Sequence, residues 1–377
     1  MNRLAAILAL CLWPLVAAAE PNPAEAARAA AKALEQAAES LAQADSARDR
    51  VKALTQTLKA YEDGLAAMRE GLRHAALREA ALTEELRARE TEVAQLLGVL
   101  QSIGATPTPA AIVHPDGPTG TARAGMLLAD VTPALNARAQ ALRTKLEEVQ
   151  TLRTLQESAA QTLRDGLDGV QKARTELSQA VANRTNLPKR FTEDPIRTAI
   201  LISSSETLEG FASGLYDIAE DEVPGSLPDM THRKGALPLP VQGRVLLRAN
   251  ESDAAGISRP GVVLATRPRA LVTTPTAATI RYLGPLLDYG NVMILEPQAG
   301  LLLVLAGMET VYGQAGQVLP GGGPVGLMGG QDADTGTIVS QAGDGAGNEA
   351  SETLYIEVRQ DNQAVDPAEW FNMKRDE

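Results

Sequence analysis

The chain has 377 residues and a formal net charge of −12, so it can hold two or three domains, and the charge argues against nucleic acid as a partner. Aromatic residues make up only 3% of the chain, and Ala, Leu, Glu, Gln and Arg dominate its first half. This bias predicts long helices first and a compact domain later.

The first residues predict a secretory signal peptide over residues 1–19. Arg3 precedes an apolar run, and small residues offer a cleavage site after Ala19. The apolar run is shorter than the roughly 20 residues that a membrane-spanning helix needs. The single cysteine, Cys11, lies inside the run without the small preceding residue of a lipoprotein signal. We therefore expect a periplasmic protein, soluble after cleavage and without disulfides.

Residues 24–186 predict an antiparallel coiled-coil hairpin. Apolar residues keep a heptad spacing from Val51 to Ile103, and a seven-residue spacing returns from Leu135 to Val181. The segment 104–132, rich in Pro and Gly, predicts an irregular tip, and Pro133 suits the first turn of the second helix. A long surface helix on a globular domain is the weaker alternative, because such helices seldom exceed about 25 residues.

Residues 187–235 predict a regulatory helix followed by a linker rich in Pro and Gly. One amphipathic helix is expected from Ile196 to Ile218, with Pro195 in its first turn. The helix is too short and too apolar to be stable alone, so we expect it to dock on another part of the protein. Its apolar side comprises Ile200, Leu208, Phe211 and Leu215.

Residues 236–377 predict an all-β domain. Short β-branched runs alternate with turns rich in Gly and Pro, among them GRVLL, PGVVLAT, ATIRYLG, NVMILEP, GLLLVLA and LYIEV. The fold class expected for the whole chain is therefore a multidomain α+β protein, in which the helical hairpin precedes the β domain.

The order of these strands resembles the LytM, or lysostaphin-like, domain of zinc endopeptidases that cut peptidoglycan crosslinks. The resemblance runs through RPGVVLAT at Arg259, DYGNVMILEP at Asp288, LVLAGM before the glycine-rich turn, and LYIEVRQDNQAVDPAEWF at Leu354. No single segment is specific, but their shared order over about 130 residues is typical of the family.

The resemblance also implies that the zinc ligands are lost. Zinc hydrolysis needs imidazole or carboxylate donors and an open site for water. The positions that match the family's ligands and its further histidine are occupied by Arg259, Val263, Gly307, Thr353 and Tyr355. His74, His114 and His232 lie elsewhere in the sequence and are interpreted as surface residues. We expect neither an enzyme nor a cofactor.

A signal peptide, a coiled-coil hairpin, a short apolar helix and a ligand-free LytM domain, in this order, resemble the EnvC family of murein hydrolase activators. The resemblance implies a non-catalytic factor of cell division and daughter-cell separation. Its LytM groove would bind an N-acetylmuramoyl-L-alanine amidase, and its coiled coil would dock on a membrane complex of the FtsEX type at the septum. A peptidoglycan-binding scaffold is the alternative, and an active peptidase with unusual ligands is a third class that the missing donors disfavour.

The residues that match the family's groove are Val263, Tyr289, Tyr355 and Arg359. The two tyrosines could instead pack the domain core, whereas an arginine beside the groove is expected to have no core role. The regulatory helix is expected to dock in the groove and block the amidase. The alternative is a plain connector that packs at the base of the coiled coil.

Overall fold

The computed structural model describes residues 23–88, 94–95, 98, 117–183, 195–220, 230–331 and 352–373. The predicted signal peptide, the segment 104–116 of the predicted tip and His114 lie outside these residues. None of the described helices combines the length and the apolar character that a bilayer span requires.

The first half of the chain forms three helices, α1 (Pro23–Ala42), α2 (Ala47–Ala88) and α3 (Gly117–Ala182). The first part of the predicted hairpin consists of two helices, because a new helix begins after Ser46. The Ser46 hydroxyl accepts the backbone N–H of Asp49 at 3.1 Å and donates to the Asp49 carboxylate at 2.6 Å, which is a helix N-cap. α1 then runs back along α2, with Ala30 beside Gly64.

Helices α2 and α3 pack against each other in antiparallel directions. The Glu79 side chain contacts Arg153 at 2.7 Å, and Glu62, earlier in α2, contacts Arg174, later in α3, at 3.7 Å. Their common core comprises Leu54, Leu58, Leu65, Leu72, Leu163, Val170 and Leu177. Whether the pair supercoils as a coiled coil stays a prediction.

Helix α3 begins earlier than the sequence suggests. The expectation of an irregular tip as far as residue 132 is wrong, because α3 starts at Gly117 and Pro133 lies inside it. A proline inside a helix removes one backbone hydrogen bond, at a cost of about 3 kcal/mol. The preceding segment RAGMLLAD contains strong helix formers, and the helix continues past Pro133 despite this cost.

The described part of the β domain forms one antiparallel sheet of ten strands. The strands are β1 (Gly243–Leu247), β2 (Val262–Thr266), β3 (Leu271–Thr273), β4 (Ala278–Pro285), β5 (Asn291–Gln298), β6 (Leu301–Val311), β7 (Val318–Leu319), β8 (Pro324–Met328), β9 (Glu352–Gln360) and β10 (Gln363–Val365). Their order in the sheet is β1-β2-β9-β6-β5-β4-β7. In addition, β3 pairs with β8, β8 pairs with β6, and β10 pairs with β9. Their inward side chains form the main core together with Trp370 and Phe371.

The segment between the helix pair and the β domain forms two helices instead of the single one expected. They are α4 (Pro195–Ser204) and α5 (Leu208–Glu220). Thr207 separates them, because its hydroxyl accepts the backbone N–H of Gly210 at 3.0 Å and so caps α5. The two helices pack closely at Gly214, where any side chain would collide with Leu201.

Candidate functional site: a covered sheet face

Strands β4, β5, β6 and β9 bury side chains on both sides, as their alternation requires. One side faces the main core, and the other forms a second apolar surface, here called the outer face. Its members are Tyr282, Val292, Ile294, Leu302, Val304, Ala306 and Tyr355. An apolar sheet face of this size has to be covered by another element to be stable in water.

Helix α5 covers the outer face. Phe211 is fully buried, with 0% of its surface exposed, and its ring meets that of Tyr282 edge to face at a centroid distance of 4.6 Å. Leu208 and Leu215 are buried in the same cluster. Three of the four residues predicted for the regulatory helix therefore lie in one buried cluster with the outer face of the sheet.

The fourth residue of that prediction, Ile200, does not dock. It lies on α4 and is 61% exposed. Because the chain bends at 205–207, the apolar sides of α4 and α5 do not form one continuous stripe. On α4 it is Leu201 and Ile202, rather than Ile200, that pack against the cluster beneath α5.

Three of the predicted groove residues lie together at the outer face. Val263 on β2 stands opposite Tyr355 on β9, and the rings of Tyr289 and Tyr355 lie 6.1 Å apart between centroids. Val263 and Tyr289 are partly buried against the α5 cluster. The tyrosines thus belong to the covered face rather than to the main core.

The prediction that Arg359 has no core role is wrong. It is only 2% exposed and its Nη1 donates to the Glu357 carboxylate at 2.9 Å. Its Nη2 donates to the Ser213 hydroxyl of α5 at 3.1 Å and to the carbonyl of Asn362 at 2.8 Å, and Glu209 of α5 lies 3.8 Å away. The arginine therefore links the sheet to α5 from within a buried ion pair.

A chain of hydrogen bonds continues from this ion pair along β9. The Tyr355 hydroxyl donates to Glu357 at 2.8 Å and accepts the backbone N–H of Gly261 at 3.1 Å. Burial, and after it the neighbouring Glu357 carboxylate, raise the pKa of the Tyr355 phenol far above its ordinary value. Tyr355 is thus held as a neutral hydrogen-bond donor.

Sequence reasoning missed Glu357, Ser213 and Glu209. The spacing of Glu357 and Arg359 carried a usable signal, because residues two apart on a strand share a face. Both positions lie among apolar neighbours in LYIEVR, so opposite charges on one covered face predict a pair. Ser213 and Glu209 had no such signal, since their contact with Arg359 depends on how α5 docks.

The positions that match the zinc ligands carry different chemistry here. Arg259 pairs with Asp253 at 3.3 Å, Val263 is apolar, and Thr353 is exposed at the start of β9. Gly307 has a φ of +101°, and a Cβ built on it would lie 2.5 Å from the carbonyl oxygen of Thr353. No side chain fits there on this backbone.

Within the described ranges, no group of three or more His, Cys, Asp or Glu side chains could hold a metal ion. His74 contacts Glu70 at 2.7 Å on the exposed surface of α2, and His232 is exposed in a short 3₁₀ turn. The covered face offers apolar area, two tyrosines and a buried ion pair, and aromatic residues and arginine are the side chains that most often anchor protein interfaces.

No protein-family model matches the chain, and no curated protein matches it by sequence. Several solved structures do match part of it. Helicobacter pylori Csd3 matches with 19% identity and a TM-score of 0.28, over 36% of this chain and 35% of that one. A zinc-containing peptidase from Vibrio cholerae matches with 17% identity and a TM-score of 0.28, over 36% of this chain and 40% of that one.

The SpoIIQ–SpoIIIAH pore-forming complex matches with 18% identity and a TM-score of 0.28, over 36% of this chain and 90% of the matched chain. This chain thus spans about a third of the length of the Csd3 structure that it matches. At these scores the likenesses carry neither a family nor a function, and both remain proposals from the sequence and the site.

Proposed function

We propose that this protein is a non-catalytic activator of a peptidoglycan amidase, with a β domain of the LytM class and an arrangement like that of EnvC proteins. The observation that carries the proposal is the position of α5. It lies over the part of the sheet where Val263, Tyr289 and Tyr355 meet, so the surface that would bind a partner is occupied by the chain itself.

The outer face fits an amphipathic helix. α5 presents Leu208, Phe211 and Leu215 at spacings of three and four residues, which is the pattern by which a helix fills an apolar groove. A partner helix with the same pattern could use the same surface once α5 has left. In the proposal this partner segment belongs to an N-acetylmuramoyl-L-alanine amidase, and its binding relieves the amidase's inhibition.

The helix pair is proposed to bind a membrane complex of the FtsEX type. α3 alone has 66 residues, which corresponds to a length on the order of 100 Å at 1.5 Å per residue. A rod of this length could reach from a membrane partner toward the cell wall. The proposed location is the periplasm, and N-terminal sequencing of the mature protein should find Glu20 as its first residue.

The test is a dye-release assay on labelled peptidoglycan with a candidate amidase. The double variant Phe211→Ala/Leu215→Ala weakens the contact of α5 with the outer face and should stimulate the amidase more than the unaltered protein does. Ile200→Ala is the matched control, because Ile200 lies in the same segment but is exposed. This control should behave like the unaltered protein.

Two outcomes would contradict the proposal. If the protein binds purified sacculi but neither it nor the double variant stimulates any periplasmic amidase, a peptidoglycan-binding scaffold becomes the better explanation. If the purified protein with bound zinc releases dye without an amidase, the proposal of a non-catalytic protein is wrong.

A further inference from the structure

A cleft of about 640 Å³ lies between the C-terminal part of α3 and the β domain. Polar contacts hold its two walls together. The Glu62 carboxylate of α2 accepts the backbone N–H of Leu271 on β3 at 3.0 Å and lies 3.7 Å from Arg174 of α3. The Ser178 hydroxyl of α3 and the Tyr312 hydroxyl of the β domain lie 2.9 Å apart. The cleft thus has fixed walls and a volume usual for small-molecule sites.

The lining of the cleft is mostly polar. Gln171 and Gln179 lie on one face of α3, Gln331 follows β8 on the opposite wall, and Leu327 contributes an apolar side chain. The three side-chain amides make no hydrogen bond with the described part of the chain. Since each amide can donate as well as accept, the walls offer several groups that match the hydroxyl and amide groups of a ligand.

Arg269, in the turn between β2 and β3, brings a positive charge to the cleft. Its Nη1 donates to the Glu309 carboxylate at 3.4 Å, which is a long contact, and its side chain is 39% exposed. Its other guanidinium donors have no partner among the described residues. A guanidinium binds a carboxylate through two parallel hydrogen bonds, and Arg269 retains the donors for such a pair.

The backbone of Arg269 is strained, with a φ of +56°. This left-handed conformation suits Gly, Asn and Asp, and Asn or Asp occupies three of the five non-glycine positions of positive φ in the described ranges. Strain of this kind is typical of positions where a binding site requires the side chain. The turn thus carries an arginine where a glycine would be less strained, which indicates a role for Arg269 in binding a ligand.

Acidic residues at the rim restrict the kind of anion. Glu309 contacts Arg269, and the Glu352 carboxylate would lie 2.7 Å from a Cβ built on Gly330. These carboxylates would repel a ligand with several negative charges. An acidic peptide also fits poorly, because the lining offers little apolar area for its side chains. The best match is a ligand with one carboxylate for Arg269 and neutral hydroxyl or amide groups for the glutamines.

We propose that the cleft binds a carboxylated sugar, and that this sugar is a muramoyl residue from which the peptide has been removed. The second part rests on the proposed function. An N-acetylmuramoyl-L-alanine amidase adds water to the amide between the muramoyl carbonyl and the alanine nitrogen. The carboxylate stays on the sugar, and the peptide leaves with a free amino group. Only this product presents a carboxylate to Arg269, so the protein would bind glycan on which the amidase has already acted.

A ligand-observed NMR titration of the full chain with N-acetylmuramic acid tests the site. N-acetylglucosamine shares the ring and the acetamide but lacks the carboxylate, and lactate has a carboxylate without the sugar. Both should bind at least about tenfold more weakly. Arg269→Gly removes the guanidinium and relieves the backbone strain, so it should fold normally by circular dichroism and lose affinity on the order of tenfold or more.

Arg259→Ala is the matched control. The Arg259 side chain is 37% exposed and contacts one carboxylate, that of Asp253, at 3.3 Å, much as Arg269 contacts Glu309, but Arg259 does not line the cleft. Its replacement should leave the affinity for N-acetylmuramic acid unchanged. Gln179→Ala, at an exposed position of α3, is the second variant and should weaken binding several-fold even if Arg269→Gly does not fold.

The inference is overturned if N-acetylmuramic acid does not bind, if N-acetylglucosamine or lactate binds equally well, or if both cleft variants keep full affinity. Loss of binding in Arg259→Ala would place the sugar elsewhere and overturn it too. Sacculi stripped of peptides by an amidase should retain more protein than intact sacculi, and equal retention would contradict the muramoyl assignment.

The inference and the proposed function can fail separately. A protein that binds N-acetylmuramic acid through Arg269 but stimulates no amidase would support the sugar site and contradict the proposed function. A protein that stimulates an amidase but does not bind the sugar would contradict the sugar site alone.

Discussion

Two helical regions dock on the β domain, and they do so by different chemistry. α5 presents a row of fully or nearly fully buried apolar side chains to the outer face, and its Ser213 and Glu209 contact Arg359. The second region, residues 59–63 of α2 and 174–178 of α3, is here called the foot. There the Glu62 carboxylate, Arg174 and the Ser178 hydroxyl meet Arg267 and the Tyr312 hydroxyl of the β domain around a small apolar contact. The α5 contact thus depends mainly on buried apolar area, whereas the contact of the foot depends mainly on directional polar interactions.

The difference indicates which contact another molecule can replace. Apolar burial is non-directional, so a different amphipathic helix can take the place of α5 at similar free energy. A buried carboxylate needs its own donors in fixed positions, and its loss leaves unpaired charges that cost several kcal/mol. The outer face is therefore suited to exchange of partners, and the foot to keeping the helix pair in one orientation.

The largest effect is expected at the centre of the α5 contact. Phe211→Ala should reduce the free energy of α5 docking by about 4 kcal/mol, because a fully buried ring is lost and a cavity remains. Limited proteolysis within residues 195–220 would measure the change. Ile200→Ala, at an exposed position, should stay within about 0.5 kcal/mol; equal cleavage of both variants would contradict the apolar description of this contact.

A somewhat smaller effect is expected from the polar edge of the same contact. Arg359→Met should lower the free energy of unfolding by about 3 kcal/mol, since Glu357 would be left buried without its counter-charge. Urea denaturation measures it. The double variant Arg359→Met/Glu357→Leu should recover most of the loss, and a double variant less stable than the single one would argue against this explanation.

Tyr355→Phe should cost about 1–2 kcal/mol, because the Gly261 amide loses its acceptor and Glu357 loses a donor while the ring stays in place. Thermal unfolding is the measurement. Tyr289→Phe, whose ring contacts Tyr355 at the same face, is the matched control and should change stability by less than about 0.5 kcal/mol.

The smallest effect concerns pH. The folded-state pKa of Tyr355 lies above the unfolded value, so the stability from its neutral phenol is complete below the ordinary phenol range and is lost as pH rises through the folded value. Burial also raises the pKa of Tyr312. In an ultraviolet titration, two tyrosines should ionise late, and Tyr355→Phe should remove one of them. Ionisation of all tyrosines in the ordinary range would contradict the buried network.

Much of the β domain could be predicted because successive side chains of a strand point to opposite faces of the sheet. In LYIEVR, Tyr355 and Arg359 are four residues apart, and this even spacing alone predicts that they share one face of the strand. The break between α4 and α5 was missed although residues 203–207 read SSSET, because the helical spacing of Ile200, Leu208 and Phe211 was followed across this polar run. The Thr207 hydroxyl at its end caps α5. Glu62 had no local signal, since the amide that it accepts is 209 residues away.

Gly307 has a consequence for protein engineering. The backbone at this position turns through a positive φ and brings the Thr353 carbonyl within 2.5 Å of any Cβ. Any larger side chain, a metal-binding histidine included, would require β6 and β9 to move apart first. A zinc site could therefore not be introduced into this sheet by a substitution at Gly307 alone.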